Sequence, residues 1–338
     1  MDLSEFELIG LIAGRADRPA RFETGIGDDA AVIRSSGRIV TSVDIAVEGV
    51  HFLPGRPPAE AARKAVASSV SDLAAMGAGG AETELLVALG VPAGTPDGFP
   101  VGLADGLLAA AREFDSQLAG GDVVASPVFF LSVTAIAHVG DEVPLTGRGG
   151  ASPGDLVAVT GPVGAAAAGL LLLKGLDAPG LDRGDREFLE GCQTSPRPQL
   201  AAGAVLAGAG ASAMIDVSDG LAADLAHVAR ASGVTIELAA EQVPVADGVP
   251  DVARAAGADP VEFALAGGED YELALAISPG EFEAASSRLT EVTGKGLVLI
   301  GKVIPAGPAG SRVEVIGEDG SRSAPPDGHD HFRKLKSR

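Results

Sequence analysis

The chain has 338 residues, 46% of them hydrophobic, which is room for two domains with sizeable cores. Its 46 acids against 25 bases give a formal charge of −21, which repels nucleic acid and anionic membrane, because a phosphate surface is attracted only by a positive field. The single cysteine, Cys192, excludes an internal disulfide and a thiolate zinc cluster. The opening MDLSEFELIG lacks the basic segment and apolar stretch of a signal peptide, and the longest apolar run, Val163 to Leu173, is too short to span a bilayer, so a soluble cytoplasmic protein is expected.

The first motif in chain order is GIGDDAAV at 25–32, where Asp28 and Asp29 follow two glycines. Adjacent carboxylates repel, so they face water or share a cation, and a solvated turn accounts for such a pair taken alone. A strand is predicted over 39–44, where period-two geometry puts Ser42 and Asp44 on one face and sends Val43 to the other, into the core. A hydroxyl and a carboxylate at that spacing suit a hard cation, which wants oxygen ligands. A helix follows over 59–76, closed by Gly77 at its C′ position. Asp72 then sits near the helix C-terminus, where the dipole disfavours negative charge by roughly 0.3–1 kcal/mol, so another role is expected of it; the small Ser68 and Ser69 one turn back leave room for a ligand.

A strand at 84–89 and a helix at 104–114 lead to Gly120-Gly121-Asp122, placed just before a long strand at 129–138. The Gly/Ser/Pro-rich stretch at 147–154, GRGGASPG, is the expected domain boundary, giving domains 1–149 and 150–338. Beyond it come a strand at 156–160, helices at 163–174 and 200–206, and a strand at 213–216. GAGASA at 208–213 nearly fits a dinucleotide fingerprint but lies between helix and strand, the wrong order. DVSDGL at 216–221 ends a strand in Asp216 and places Ser218 and Asp219 where either could cap the next helix, predicted at 221–231. GGEDYEL at 267–273 is a glycine turn opening a strand at 272–277, followed by a helix at 280–289 and a strand at 297–304. Interleaved strands and helices give an α/β or α+β class.

Neither a P-loop nor a protein-kinase signature is present. What remains is a series of carboxylates at strand and helix ends, where α/β proteins place their sites. Magnesium takes one or two carboxylates plus substrate phosphates, so several ions could share such a set in phosphoryl transfer, which is mostly positioning and charge neutralisation.

GIGDDAAV, TSVDIAVEGVHF, SVSDLAAMGA, AGGD, DVSDGL and AGGEDYEL, ending in GHDHF at 328–332, resemble in order and spacing the thiamine-monophosphate kinase family, within the superfamily that includes aminoimidazole ribonucleotide synthetase. The resemblance implies a two-domain fold of that superfamily. Its N-terminal ATP-binding half has a sheet at a homodimer interface, and a C-terminal α/β domain completes the substrate site. It implies direct transfer of the ATP γ-phosphoryl to thiamine monophosphate with several Mg²⁺ ions, for which Mn²⁺ may substitute. By motif, Asp28, Asp29, Ser42, Asp44, Asp72, Asp122, Asp216 and Asp219 correspond to metal ligands. Gly121, Asp122, Arg148 and Ser218 correspond to ATP contacts, and His51, Glu269 and Phe332 to thiamine monophosphate contacts. Two departures stand out: Val43 where the family commonly has Thr, and Val123-Val124-Ala125 where it often has Thr-Thr-Arg after Gly-Gly-Asp. Other readings are aminoimidazole ribonucleotide synthetase itself, a metal-dependent phosphatase, and a non-catalytic acidic metal-binding protein.

Overall fold

The computed structural model describes residues 10–16, 22–24, 32–33, 37–308 and 310–329. It divides into two compact units, Met1–Leu73 with Gly80–Val143, and Ala74–Gly79 with Pro144–Arg338.

In the first unit, β1 (Phe22–Thr24) pairs antiparallel with β2 (Val32–Ile33). A four-stranded sheet follows, built from β3 (Arg38–Val47), β4 (Glu82–Val91), β5 (Ser116–Ala125) and β6 (Phe130–Val139) in the order β3-β6-β4-β5. Only the β4–β5 pair is parallel, and it is joined by α2 (Phe99–Glu113), as a parallel connection requires. Helix α1 (Pro58–Ala75) is tied to the sheet by Ser69, whose buried hydroxyl donates to Val133 O at 2.6 Å. Ser69 therefore fastens the helix to the sheet, and Ser68 donates back to Ala65 O. Both hydroxyls satisfy backbone carbonyls, a use of serine that spacing alone does not reveal.

The expectation that Val43 enters the core is wrong. Val43 is 63% exposed, and Ile39 and Ile45 on the same side of β3 are 55% and 51% exposed. Ser42, Asp44 and Ala46 occupy the other side of the strand, with Leu85, Val87, Val133 and Ala135 on the neighbouring strands. Period two held, but the apolar residues of β3 lie on the face opposite the helices, so hydrophobic identity pointed the wrong way.

Among the described residues the second unit has seven strands: β7 (Leu156–Val159), β8 (Ala211–Asp216), β9 (Val234–Ala239), β10 (Leu273–Ile277), β11 (Val298–Pro305), β12 (Arg312–Ile316) and β13 (Arg322–Ser323). Their order is β13-β12-β9-β11-β7-β10-β8, antiparallel except at β12–β9. Its helices are α3 (Ala165–Leu173), α4 (Arg183–Thr194), α5 (Leu200–Gly208), α6 (Leu221–Ser232), α7 (Val249–Ala255), α8 (Pro260–Ala266) and α9 (Pro279–Thr293). Alternate residues of its strands feed two cores. Val157, Val159 and Ile215 pack with Leu221, Leu225 and Val228 of α6, whereas Met214, Leu273 and Leu275 pack with Leu206 of α5 and Leu289 of α9. Each such side chain contributes roughly 1.5–3 kcal/mol of hydrophobic burial. A third cluster joins α3, α4 and α7 through Leu172, Leu189 and Val252. No described helix is long and apolar enough to cross a membrane.

Candidate functional site

In the first unit the strand and helix ends bring two of the expected ligands into contact. Ser42 projects from β3 toward α1, and its hydroxyl donates to Asp72 Oδ2. Helix α1 ends three residues past Asp72, and Gly77 follows with φ 79°. Asp44 lies two residues along β3 on the same face as Ser42. The pair presents oxygens of the kind a hard cation prefers. Among the described residues no three His, Cys, Asp or Glu side chains form a ready-made cation cage. His51 follows the end of β3, and its Nδ1 accepts from Val47 N at 3.1 Å, which fixes the ring and leaves Nε2 as the protonated nitrogen of the neutral form.

Gly121 and Asp122 sit inside β5, which extends over 116–125 although Gly-Gly-Asp hides it from strand propensity. A Cβ on Gly121 would collide with Val87 O, so only glycine fits this close approach to β4. Asp122 is exposed at one edge of the sheet, and Ser42 lies on the strand at the other edge. With β6 and β4 between them, roughly 14 Å of sheet separates the two strands. A cleft lined by Ile12, Val87, Leu107, Leu118, Gly121 and Asp122 opens beside this strand. Asp28, Asp29 and Phe332 lie outside the described residues.

In the second unit a loop rather than an element end is the organising feature. Asp216 is buried at the end of β8, and Ser218 and Asp219 are half-buried in the turn before α6. Three backbone N–H groups of that turn, from Ser218, Asp219 and Gly220, converge on Asp224 Oδ2 at 3.0, 3.1 and 3.1 Å. Asp224 is 2% exposed, and its carboxyl is pushed up to about 8 by burial first, then by Asp216 and Asp219, against the backbone donors. The GGEDYEL segment is laid along the same turn: Glu269 N donates to Ser218 O and Tyr271 N to Val217 O, both at 2.9 Å. A Cβ on Gly268 would collide with Ser218 O. Glu269 and Tyr271 both carry positive φ, 67° and 53°, a strained conformation for residues with side chains and one that collects at functional sites. The side chain of Glu269 accepts from Gln193 Nε2 at 2.9 Å.

Asp270 accepts from Gly164 N at 2.6 Å and Ala166 N at 3.0 Å, so it caps α3 from a distant segment. Burial lifts its carboxyl to about 7 against those donors, with Glu272 adding to the rise. Glu272 is also raised by burial, against its hydrogen bond from Thr160. Burial first, then Asp270 and Glu272, pushes the Cys192 thiol up to about 11. The Arg148 side chain is exposed, and its carbonyl accepts from Ser232 Oγ, which also takes Gly150 N and Ala151 N at 3.1 Å. Asp224, Asp270 and Gln193 were missed by sequence reasoning. Only Asp224 carried a signal: an acid on the apolar stripe of α6, between Leu221 and Leu225.

The chain matches the family described as AIR synthase related protein, N-terminal domain, over residues 27–139 and the corresponding C-terminal domain family over 152–314. It is 39% identical to a thiamine-monophosphate kinase of Mycobacterium tuberculosis over 275 residues, 80% of each chain. Among solved structures it is similar to the thiamine-monophosphate kinase of Stenotrophomonas maltophilia K279a, with 32% identity, a TM-score of 0.78, and 96% and 99% of the two chains covered. It is likewise similar to AaThiL complexed with AMPPCP and TMP, with 29% identity, a TM-score of 0.75, and 98% and 99% covered. Two matched domains, whole-chain structural likeness and the ordered motifs agree: the chain belongs to the thiamine-monophosphate kinase family, on the two-domain fold of the AIR synthase related proteins.

Proposed function

We infer that this chain transfers the γ-phosphoryl group of ATP to thiamine monophosphate and forms thiamine diphosphate. A phosphate oxygen of thiamine monophosphate attacks the γ-phosphorus, the bond to the β–γ bridging oxygen breaks, and ADP leaves. The observation that carries the reading is the GGEDYEL segment held along the DVSDGL turn, with Glu269 fixed in a strained backbone and steadied by Gln193. AaThiL, of similar fold along its whole length, was solved with an ATP analogue and TMP. An acidic cation buffer would need neither the strained Glu269 nor the bonds that fix it.

Within this reading Glu269 accepts a hydrogen bond from the aminopyrimidine, His51 lies by the substrate, and Phe332 stacks on the cationic thiazolium. Gly121, Arg148 and Ser218 hold ATP. Ser42, Asp44 and Asp72, with Asp28, Asp29, Asp122, Asp216 and Asp219, supply oxygens to several Mg²⁺ ions, and Mn²⁺ substitutes. The contact of Ser42 with Asp72 supports this set, because a hydroxyl beside a carboxylate matches an octahedral ion that keeps waters and phosphate oxygens as its remaining ligands. The chemistry magnesium supplies when bound is neutralisation of the phosphate charge, which a chain of net charge −21 cannot provide by itself. The division of labour is between residues 1–149, for nucleotide phosphates and dimerisation, and 150–338, for completing the substrate site. The exposed apolar face of β3 supports a homodimer through the N-terminal sheets. The chain works in the cytoplasm.

The test is formation of thiamine diphosphate from thiamine monophosphate, ATP and Mg²⁺ by the purified chain, with the purine intermediate of aminoimidazole ribonucleotide synthetase as the alternative substrate. Turnover of the purine intermediate alone would replace this reading.

A further inference from the structure

The DVSDGL turn faces two ways. Its amide hydrogens point inward: Ser218 N, Asp219 N and Gly220 N all end on one oxygen, Asp224 Oδ2, at 3.0–3.1 Å. Its carbonyls point outward: Ser218 O takes Glu269 N, and Asp219 O takes His329 N, both at 2.9 Å. The peptide planes of the turn are thus set from inside by one carboxylate, and from outside they set two other segments. Those segments carry Glu269 and His329. Asp224 is itself fixed, because it sits in the first turn of α6, between Leu221 and Leu225 of the second unit's core, with its own N–H on Gly220 O. Burying a carboxyl group costs free energy unless it is hydrogen-bonded, and the three turn amides that Asp224 collects at the start of α6 offset that cost.

We propose that Asp224 is a positioning residue of the reaction: through the 218–220 turn it aligns Ser218 and Asp219 for the nucleotide and its metal and, one hydrogen bond further out, Glu269 for thiamine monophosphate. This rests on the functional reading above. It places control of both substrates on a residue that touches neither. The oxygen matters to this role, the second carboxylate oxygen and the charge do not, because all three donors share Oδ2.

The experiment compares the parent with Asp224→Leu and Asp224→Asn. Amide hydrogen exchange of 218–220 and 269–271 is read on the free protein. Calorimetry reads binding of thiamine monophosphate, and of a non-hydrolysable ATP analogue with Mg²⁺. Asp224→Leu is expected to lose protection in both segments and to weaken both ligands together by about tenfold or more, the scale of losing buried hydrogen bonds. Asp224→Asn, which keeps an oxygen at the position of Oδ2, is expected to recover most of the protection and of both affinities. If Asp224→Leu does not fold, Asp224→Glu, which displaces the oxygen by one methylene, replaces it with the same paired loss expected. Parent-like exchange and binding in the displaced-oxygen variant would overturn the proposal. So would an Asp224→Asn chain as impaired as Asp224→Leu, which would assign the role to the charge. A parent chain that protects 218–220 through Asp224 yet binds no thiamine monophosphate would overturn the functional reading instead.

Discussion

The two units build their candidate sites in different ways. In the first, Ser42, Asp44 and Asp72 hang on a strand and a helix, and the side chains of Ser42 and Asp72 meet because the periodicities of those elements aim them at each other. In the second, Ser218, Asp219 and Glu269 lie on irregular backbone that holds its shape through buried carboxylates and cross-segment N–H···O bonds. The lesson is one of fragility. A site on regular elements tolerates the loss of a ligand without unfolding, whereas a site on a loop depends on residues behind it that touch no substrate.

The largest expected effect falls on the first set. Asp44→Asn and Asp72→Asn should each lower turnover by about 10²-fold or more, the scale of removing one preorganised electrostatic partner. Their thermal midpoints without metal should stay at or above the parent's, because one charge of a crowded anionic set is gone. A cooperative loss of stability in either variant would move that residue from the site into the fold. Next comes the loop: Glu269→Ala should weaken thiamine monophosphate binding by roughly 1–3 kcal/mol while ATP binding holds, read by calorimetry. Equal weakening of both ligands would show that Glu269 holds the turn more than it holds the substrate.

A smaller effect separates the two sheets. Strands β7, β8 and β10 of the seven-stranded sheet are buried on both faces, whereas the four-stranded sheet exposes Ile39, Val43 and Ile45. Val43→Glu should leave the fold intact and shift a dimer toward monomer in sedimentation at micromolar concentration. A parent chain that is monomeric at all concentrations would remove the interface.

The smallest effect is a pH slope. Burial raises Asp270 well above the ordinary carboxylate range to about 7, so the folded state disfavours its ionised form. Its contribution to stability is present below about pH 4 and is lost as pH rises toward 7, because the unfolded chain ionises first. Asparagine does not titrate, so the melting difference between Asp270→Asn and the parent should move in the variant's favour between pH 5 and pH 8. A constant difference across that range would mean that the two α3 amides outweigh burial.

Much of this was legible in the sequence. The strands and helices that were predicted stand within about five residues of the observed spans, and period two placed Ser42 with Asp44 correctly, but β9 and β12, equally rich in Val and Ile, went unpredicted. The same rule put Val43 on the opposite face correctly, but its apolar identity wrongly assigned that face to the core, because a strand with apolar residues on its open face looks like one with them in the core. Strand β5 was hidden by Gly120, Gly121 and Asp122, whose backbone is extended only because β4 pairs with it. Helix α4, with the sequence RGDREFLEGCQT, shows few apolar residues, and α7 and α8 have seven residues each, too short for a periodic signal. Asp270 as the cap of a helix begun a hundred residues earlier, and Gln193 as the partner of Glu269, are tertiary facts with no local sequence signature.

The central claim is direct phosphoryl transfer to thiamine monophosphate, and the sharpest measurement follows the phosphorus atom. The purified chain is given ATP labelled at the γ-phosphate, Mg²⁺ and thiamine monophosphate, and the label is traced over a single turnover. Direct transfer puts label in the terminal phosphate of thiamine diphosphate, one for each ADP formed, and none on the protein. Label released as inorganic phosphate, or carried on the protein before it reaches thiamine diphosphate, would contradict it.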